Sequence, residues 1–252
     1  MASIDLNCDL GESFGHYKIG NDELVIPVIS SCNIACGMHA GDPVVMGKTV
    51  DMAIAAGISI GAHPGYPDLQ GFGRRNMDIS PDDMYDYTLY QVGALMAHCK
   101  AKGARLAHVK PHGQFYNTAA IDMRLAEAIA SAVHDLDPSL VLVGLSGGCL
   151  IEAGKKAGLK VANEFFADRN YCDDGTLAPR SMPKATIAGE SYAVERLIKV
   201  IEEGRLISIT GREIEVACDT VCVHGDNARA LQFAQKIRNT LTSNGINIAP
   251  VS

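Results

Sequence analysis

Short β-type runs alternate with helical patterns from one end of the chain to the other, and this alternation constrains the fold more than any other feature. Strand readings fall at Ile4–Cys8, Asn33–Cys36, Ile58–Ala62, Arg105–Lys110, Leu140–Gly144, Leu159–Asn163 and Thr220–His224. Helical patterns fall between them at Asn21–Ile29, at Asp42–Ala56 and from Ser80 to Lys102. The third of these carries a stripe of Tyr85, Leu89, Val92, Met96 and Cys99, behind Ser80 as N-cap, Pro81 at the first turn and Asp82 and Asp83 against the helix dipole. The next helix puts Leu125, Ala128, Ile129, Ala132, Val133 and Leu136 on one face; another ends near Gly158; the last carries Ala230, Phe233, Ala234, Ile237 and Leu241. Ile207–Ile209 and Ile214–Val216 flank a turn and read as a hairpin. Strands alternating with helices imply a parallel sheet with right-handed crossovers. With no Pro/Ser-rich linker between the units, a closed or nearly closed barrel is favoured over an open doubly wound sheet. The 252 residues are expected to form one such domain over 1–252.

Composition narrows the partners. A formal charge of −7 argues against nucleic acid or an anionic membrane surface. No apolar run approaches the ~18 residues of a membrane helix. Met1–Leu10 contains Asp5 and Asp9 and no Lys or Arg, so no signal peptide is expected. Eight cysteines in a chain this long read as reduced thiols, and a cytoplasmic location is expected.

A parallel barrel collects its chemistry at the C-terminal ends of its strands. Four of the eight histidines fall where a strand gives way to a Gly/Pro turn: His39 in CGMHAGD, His63 in GAHPGYP, His112 in VKPHGQ and His224 in CVHGDN. In the first strand Asp5, Asn7 and Asp9 alternate with Ile4, Leu6, Cys8 and Leu10, so the three polar residues share a face. A strand sheathed by helices has no wet face except the barrel interior and mouth, where carboxylates must be paired, metal-bound or used in chemistry. Leu106, His108, Lys110 and His112 likewise share a face and carry a cation toward the same mouth. Asp9, His39, His63 and His112 are therefore expected to line one pocket, with Lys110 and Asn7 beside them. Asp9 or His63 is the expected base, and His112 or Lys110 the group that stabilises the oxyanion or protonates the leaving nitrogen.

Other signals are weaker. Gly41–Thr49 has the look of a phosphate loop, but five residues separate its glycines where that motif has four, and Asp42-Pro43 reads as a helix start that buries Gly47-Lys48-Thr49 inside a helix. Cys32/Cys36 and Cys218/Cys222 have the wrong spacing for zinc and read as buried thiols. No HxxxH or HExxH pair occurs, so no metal ligands are assigned, and a divalent metal is left open. No G-x-S-x-G elbow occurs.

The blocks IDLNCDLGESFG (4–15), SSCNIACGMHAGDP (30–43), GAHPGYPDLQGFGRR (61–75), HVKPHGQFYN (108–117), EFFADRNYCDDGTLAPRS (164–181) and TVCVHGDN (220–227), in this order, resemble the LamB/YcsF family over nearly the whole chain. Cys8, Cys32, Met38 and Gln114-Phe115 depart from the usual pattern without touching an ionisable position. The resemblance implies a distorted seven-stranded parallel β/α barrel similar to the glycoside hydrolase/deacetylase superfamily. It implies ring opening of the lactam 5-oxo-L-proline to L-glutamate, with ATP as co-substrate of a complex containing two further subunits, B and C. A lactam carboxylate calls for a guanidinium; Arg74 in GFGRR and Arg180 in APRS are the expected partners. Asn7, His224 and Asp226 are also expected to contact substrate. Two other readings are a stand-alone metal-dependent deacetylase or amidohydrolase, and a non-catalytic scaffold subunit.

Overall fold

The computed structural model describes residues 3–187, 189–223 and 228–251. In chain order the strands are β1 (Ser3–Leu10), β2 (Ser31–Ala35), β3 (Ser59–His63), β4 (Leu106–Val109), β5 (Val141–Leu145), β6 (Lys160–Phe166), β7 (Arg205–Ile207), β8 (Glu213–Glu215), β9 (Thr220–Val223) and β10 (Asn247–Ile248). The helices are α1 (Asp22–Val25), α2 (Pro43–Ala56), α3 (Pro81–Ala101), α4 (Gly113–Ile121), α5 (Met123–Leu136), α6 (Cys149–Lys156), α7 (Glu190–Glu203) and α8 (Ala228–Ser243). Strands β1-β2-β3-β4-β5-β6-β9 pair in parallel, and β9 pairs back onto β1. The result is the expected closed seven-stranded barrel. The β10 strand adds to the start of β1, and β7 and β8 form an antiparallel hairpin, one to two residues earlier than the sequence reading.

The period-2 pattern of β1 does the sorting. Ile4, Leu6, Cys8 and Leu10 enter the hydrophobic core, while Asp5, Asn7 and Asp9 turn inward to meet polar groups from β2, β4, β6 and β9. At the base, Asp5 accepts from the hydroxyls of Ser30 (2.7 Å), Ser31 (2.8 Å) and Thr220. One layer up, Asn33 Nδ2 donates to Asn7 Oδ1 (2.8 Å) and Asp9 Oδ1 (2.9 Å), and the His108 ring is bonded through Nε2 to Asn33 Oδ1 (2.8 Å). The barrel is thus filled by a bonded polar column, which satisfies groups that would otherwise be costly to bury. Packing around it is tight: a Cβ at Gly61 would lie 2.0 Å from His108 Nε2. Gly61→Ala should therefore displace His108 and cost about 1–3 kcal/mol in urea unfolding; a neutral result would mean that the ring is free to move.

Several helix readings need correction. Ser80 caps α3 as expected, accepting from Asp83 N (3.1 Å), but the buried face is Met84, Thr88, Gln91, Val92, Leu95 and Cys99. Only Val92 and Cys99 of the expected stripe are buried, because Gln91 is turned inward to bond the backbone of Gly65 through both ends of its amide. The sequence reading passes over α4, whose polar Gln114, Asn117 and Thr118 mask its buried Phe115, Tyr116, Ala119 and Ala120. The helix α2 begins as expected: Asp42 accepts from Val44 N (2.8 Å) and Val45 N (2.9 Å), and Thr49 turns back to Val45 O (3.0 Å). Gly47-Lys48-Thr49 therefore lies within the helix and offers no free N–H groups for a phosphate. No helix among the described residues is long and apolar enough to cross a membrane.

Candidate active site

The mouth at the C-terminal ends of β1 to β4 gathers at least one charged or imidazole side chain from each strand or the loop that follows it: Asp9 and Glu12, His39, His63, and Lys110 and His112. Lys110, just past β4, is the hub: its Nζ lies 2.7 Å from Glu164 Oε1, 2.9 Å from Asn7 Oδ1 and 3.0 Å from Asp9 Oδ1. Burial works against both charges of the Asp9–Lys110 pair. His63 and Lys110 nonetheless hold Asp9 well below the usual carboxylate range, and Asp9, Cys222 and Glu164 hold Lys110 well above the usual amine range.

The imidazoles sit around Asp9. His63 Nδ1 bonds the Lys110 carbonyl (2.7 Å), and His112 Nε2 bonds the Phe72 carbonyl (2.8 Å). A carbonyl only accepts, so those two nitrogens carry the protons. The remaining nitrogens, His63 Nε2 and His112 Nδ1, face one another at 3.0 Å, with Asp9 Oδ2 3.2 Å from His63 Nε2. In neutral rings both would present lone pairs, so a proton or a cation must lie between them. Phe72 takes a left-handed φ of 56°, strained for a non-glycine residue, while its carbonyl bonds His112. His39 stacks on His112 with centroids 3.6 Å apart and planes 3° apart. Both its ring nitrogens are buried without a hydrogen-bond partner. Glu12 Oε1 lies 3.6 Å from His39 Nε2 and 3.8 Å from His112 Nδ1. Burial, then His63, pushes His112 down to about 3; burial, then its two imidazole neighbours, pushes His39 well down; burial, then Asp9, pushes Glu12 up to about 8. Each of these groups is thus driven toward its neutral form.

Glu12, His39, His63 and His112 each offer a ligand atom within 4.8 Å of the others, a set that could hold a metal ion. The donor set fits a divalent cation: three imidazoles and a carboxylate, two imidazoles oriented by backbone carbonyls, and a third with both nitrogens unsatisfied. The sequence could not pair these ligands, because they come from four separate strand ends and none shares a helix face with another.

A cavity of about 560 Å³ opens above, lined by Asp9, His63, Lys110 and His112, with Arg74 and Arg180 on its walls. Asp9, His63, Lys110, His112, Arg74 and Arg180 are therefore brought together on one cavity. Asn7 and His39 are not on the wall; they lie directly beneath it, since the inward face of β1 is capped by Asp9 and His39 is covered by the His112 ring. His224 and Asp226 fall outside the described residues. The sequence reading misses Glu12, Glu164 and Arg169, all within the quoted blocks. Glu164 is detectable: extending the sixth strand past Asn163 places it at the C-terminal end, where site residues collect.

A closed seven-stranded parallel barrel whose polar side chains collect at its C-terminal mouth defines the chain as a β/α-barrel protein. The catalytic domain of peptidoglycan N-acetylglucosamine deacetylase from Eubacterium rectale ATCC 33656 superposes with a TM-score of 0.50 at 11% identity, covering 99% of this chain and 88% of that one, a likeness of fold alone. Within that class, the chain belongs to the LamB/YcsF family, whose model matches residues 4–252. It is 55% identical over 252 residues to the A subunit of 5-oxoprolinase from Bacillus subtilis (strain 168), covering 100% of this chain and 98% of the relative. The lactam utilization protein from Thermus thermophilus superposes with a TM-score of 0.93 at 44% identity, covering 99% of this chain and 100% of that one.

Proposed function

We propose that this chain is the A subunit of an ATP-dependent 5-oxoprolinase, opening 5-oxo-L-proline to L-glutamate with two further subunits, B and C, in the cytoplasm. The observation that carries this reading is the full-length likeness to relatives named as the A subunit of 5-oxoprolinase. The chemistry of the mouth agrees with it. A five-membered lactam is a stable amide, and phosphorylation of its oxygen would make the carbon electrophilic. Gly41–Thr49 is unfit to hold a nucleotide, so the phosphorylating machinery lies at least partly on the partners, and the barrel binds the lactam and directs water.

Asp9 is the group we assign to the proton. Its charge is held by Lys110, it faces the cavity, and it reaches His63 at 3.2 Å. Asp9 takes a proton from the attacking water and returns it to the ring nitrogen as the C–N bond breaks; the acyl phosphate so formed is hydrolysed by a second water to L-glutamate and phosphate. Asn7, Asp9, Glu164 and the Cys222 sulfur surround the Lys110 Nζ as acceptors. Lys110 therefore orients and charges Asp9. Glu12, His39, His63 and His112 would hold a divalent cation, which when bound polarises a carbonyl or a water.

Glutamate release from 5-oxo-L-proline and ATP should require this chain together with both partners. Glutamate formation by the chain alone, or by the partners without it, would overturn the reading. The metal cluster favours one competing reading, a stand-alone metal-dependent amidohydrolase. Metal analysis of the purified chain should find about one divalent ion per chain, lost in His39→Gln, whereas deacetylase turnover by the metal-loaded chain alone would promote the competing reading.

A further inference from the structure

Above the barrel, the segment from 167 to 187 is pinned by its own backbone. Asn170 N–H donates to Ala185 O (2.9 Å), Ala178 N–H to Asn170 O (2.9 Å), and Ile187 N–H to Asp168 O (2.8 Å). The buried Arg196 donates through Nη1 to the Arg169 carbonyl (2.7 Å), while its guanidinium lies 5.6 Å from the Phe165 ring centroid. Arg169 is thus fixed from both sides. The residue is only 7% exposed and lines the cavity; one Nη2 bond goes to the Ala178 carbonyl, and Nε has no hydrogen-bond partner.

Arg74 and Arg180 line the same cavity, but both are exposed. None of the three guanidiniums forms an ion pair among the described residues. Asp174, also on the wall, is spent on Thr176, whose N and Oγ1 both donate to its Oδ1 (2.9 and 2.7 Å). Arg169 is disfavoured as a cation first by burial and then by Arg180, with Arg74 adding to the repulsion, while Asp168 and Tyr171 act the other way without reversing the balance. An anion bound among the three guanidiniums would relieve what remains. The two exposed arginines can relax into solvent, whereas Arg169 cannot.

We infer that Arg169 is the anchor for the carboxylate of a small carboxylated ring ligand, with Arg74 and Arg180 closing on the bound anion from the rim. The assignment rests on the proposed lactam reading for the identity of the ring. It makes substrate selection a matter of the carboxylate: a lactam without one leaves the buried guanidinium unpaired.

The test uses the purified full chain and thermal melting with three probes: 5-oxo-L-proline, the neutral ring pyrrolidin-2-one, and inorganic phosphate. The acid should raise the melting temperature of the wild-type chain and pyrrolidin-2-one should not. Arg169→Gln should weaken binding of the acid by roughly 10- to 100-fold, the range expected for a charge-assisted hydrogen bond. Arg169→Lys, which keeps the charge and loses the fork, should fall between, and it preserves the test if the Gln variant does not fold. Equal stabilisation of wild type and both variants by the acid would overturn the assignment, as would no stabilisation of the wild type by the acid. Loss of phosphate binding alone in the variants would overturn it in favour of a phosphoryl site. In the reconstituted enzyme, KM for 5-oxo-L-proline should rise by the same factor with kcat nearly kept; a fall in kcat alone would mark Arg169 as a strut. If the wild-type complex releases no glutamate, the lactam reading fails, and the melting arms still decide the fate of the anchor.

Discussion

Asp9→Asn should lower kcat of the reconstituted enzyme by ~10²–10⁴, the usual cost of removing an acid–base group. The substitution is nearly isosteric and keeps an acceptor for Asn33 Nδ2 and Lys110 Nζ at the Oδ1 position, so the polar column can stay assembled. What it removes is the charge that takes the water proton. His63→Gln should fall in the same range, since the His63 ring lies between the Lys110 carbonyl, His112 and Asp9. Both variants are to be compared by melting temperature and by glutamate release. Near-wild-type kcat in variants that melt normally would remove this constellation from the chemistry.

Lys110→Met should produce the largest loss of stability of any single substitution at the mouth, about 3–5 kcal/mol, the cost of leaving buried charge without its partner. Without the ammonium, Asp9 and Glu164 face each other across the barrel with no cation between them. Urea unfolding measures the loss, and adding Glu164→Gln to the same chain should recover part of it; a loss below about 1 kcal/mol would show that water reaches these charges. The pH dependence follows from the two shifts. The Asp9 contribution is present above the ordinary carboxylate value of 3.8 and is lost as pH falls through the depressed folded value. The Lys110 contribution is present below 10.5 and is lost as pH rises through the raised folded value. Wild-type stability from this pair should thus be flat between those limits, and the Lys110→Met variant should gain relative to wild type outside them.

All eight thiols are unpaired, and Cys8, Cys32, Cys36, Cys99 and Cys222 are buried. A thiol reagent should therefore label Cys149 and Cys172 in the native chain, label the half-buried Cys218 more slowly because burial pushes its thiol up, and reach these five only on unfolding. Rapid native labelling of Cys222 would mean that the base of the cavity opens to solvent.

Much of this architecture was legible in the residues. Alternation of strands and helices dictated a parallel sheet, because a helix returns the chain to the same edge direction each time. The strict period of Asp5-Leu6-Asn7-Cys8-Asp9 put three polar groups inside, because side chains of a strand point to opposite faces in turn. Gly and Pro beside His39, His63 and His112 marked the strand ends. These are local properties, set by backbone sterics within a few residues, and so a sequence carries them openly.

Only the tertiary structure decided which of these groups meet. Glu164 lies 54 positions beyond Lys110, and no local rule links them; closure of the barrel brings β6 within 2.7 Å of the amine. The same closure ranks the imidazoles, leaving His63 and His112 at the cavity wall and covering His39 beneath His112. It surrounds the Lys110 amine with Asn7, Asp9, Glu164 and Cys222, neighbours that the sequence does not order. Arg169 stayed hidden for the same reason: its burial comes from a pinned loop and from Arg196, 27 residues away. Residue type and period determine what a strand end can offer; distances across a closed sheet determine what it is free to do.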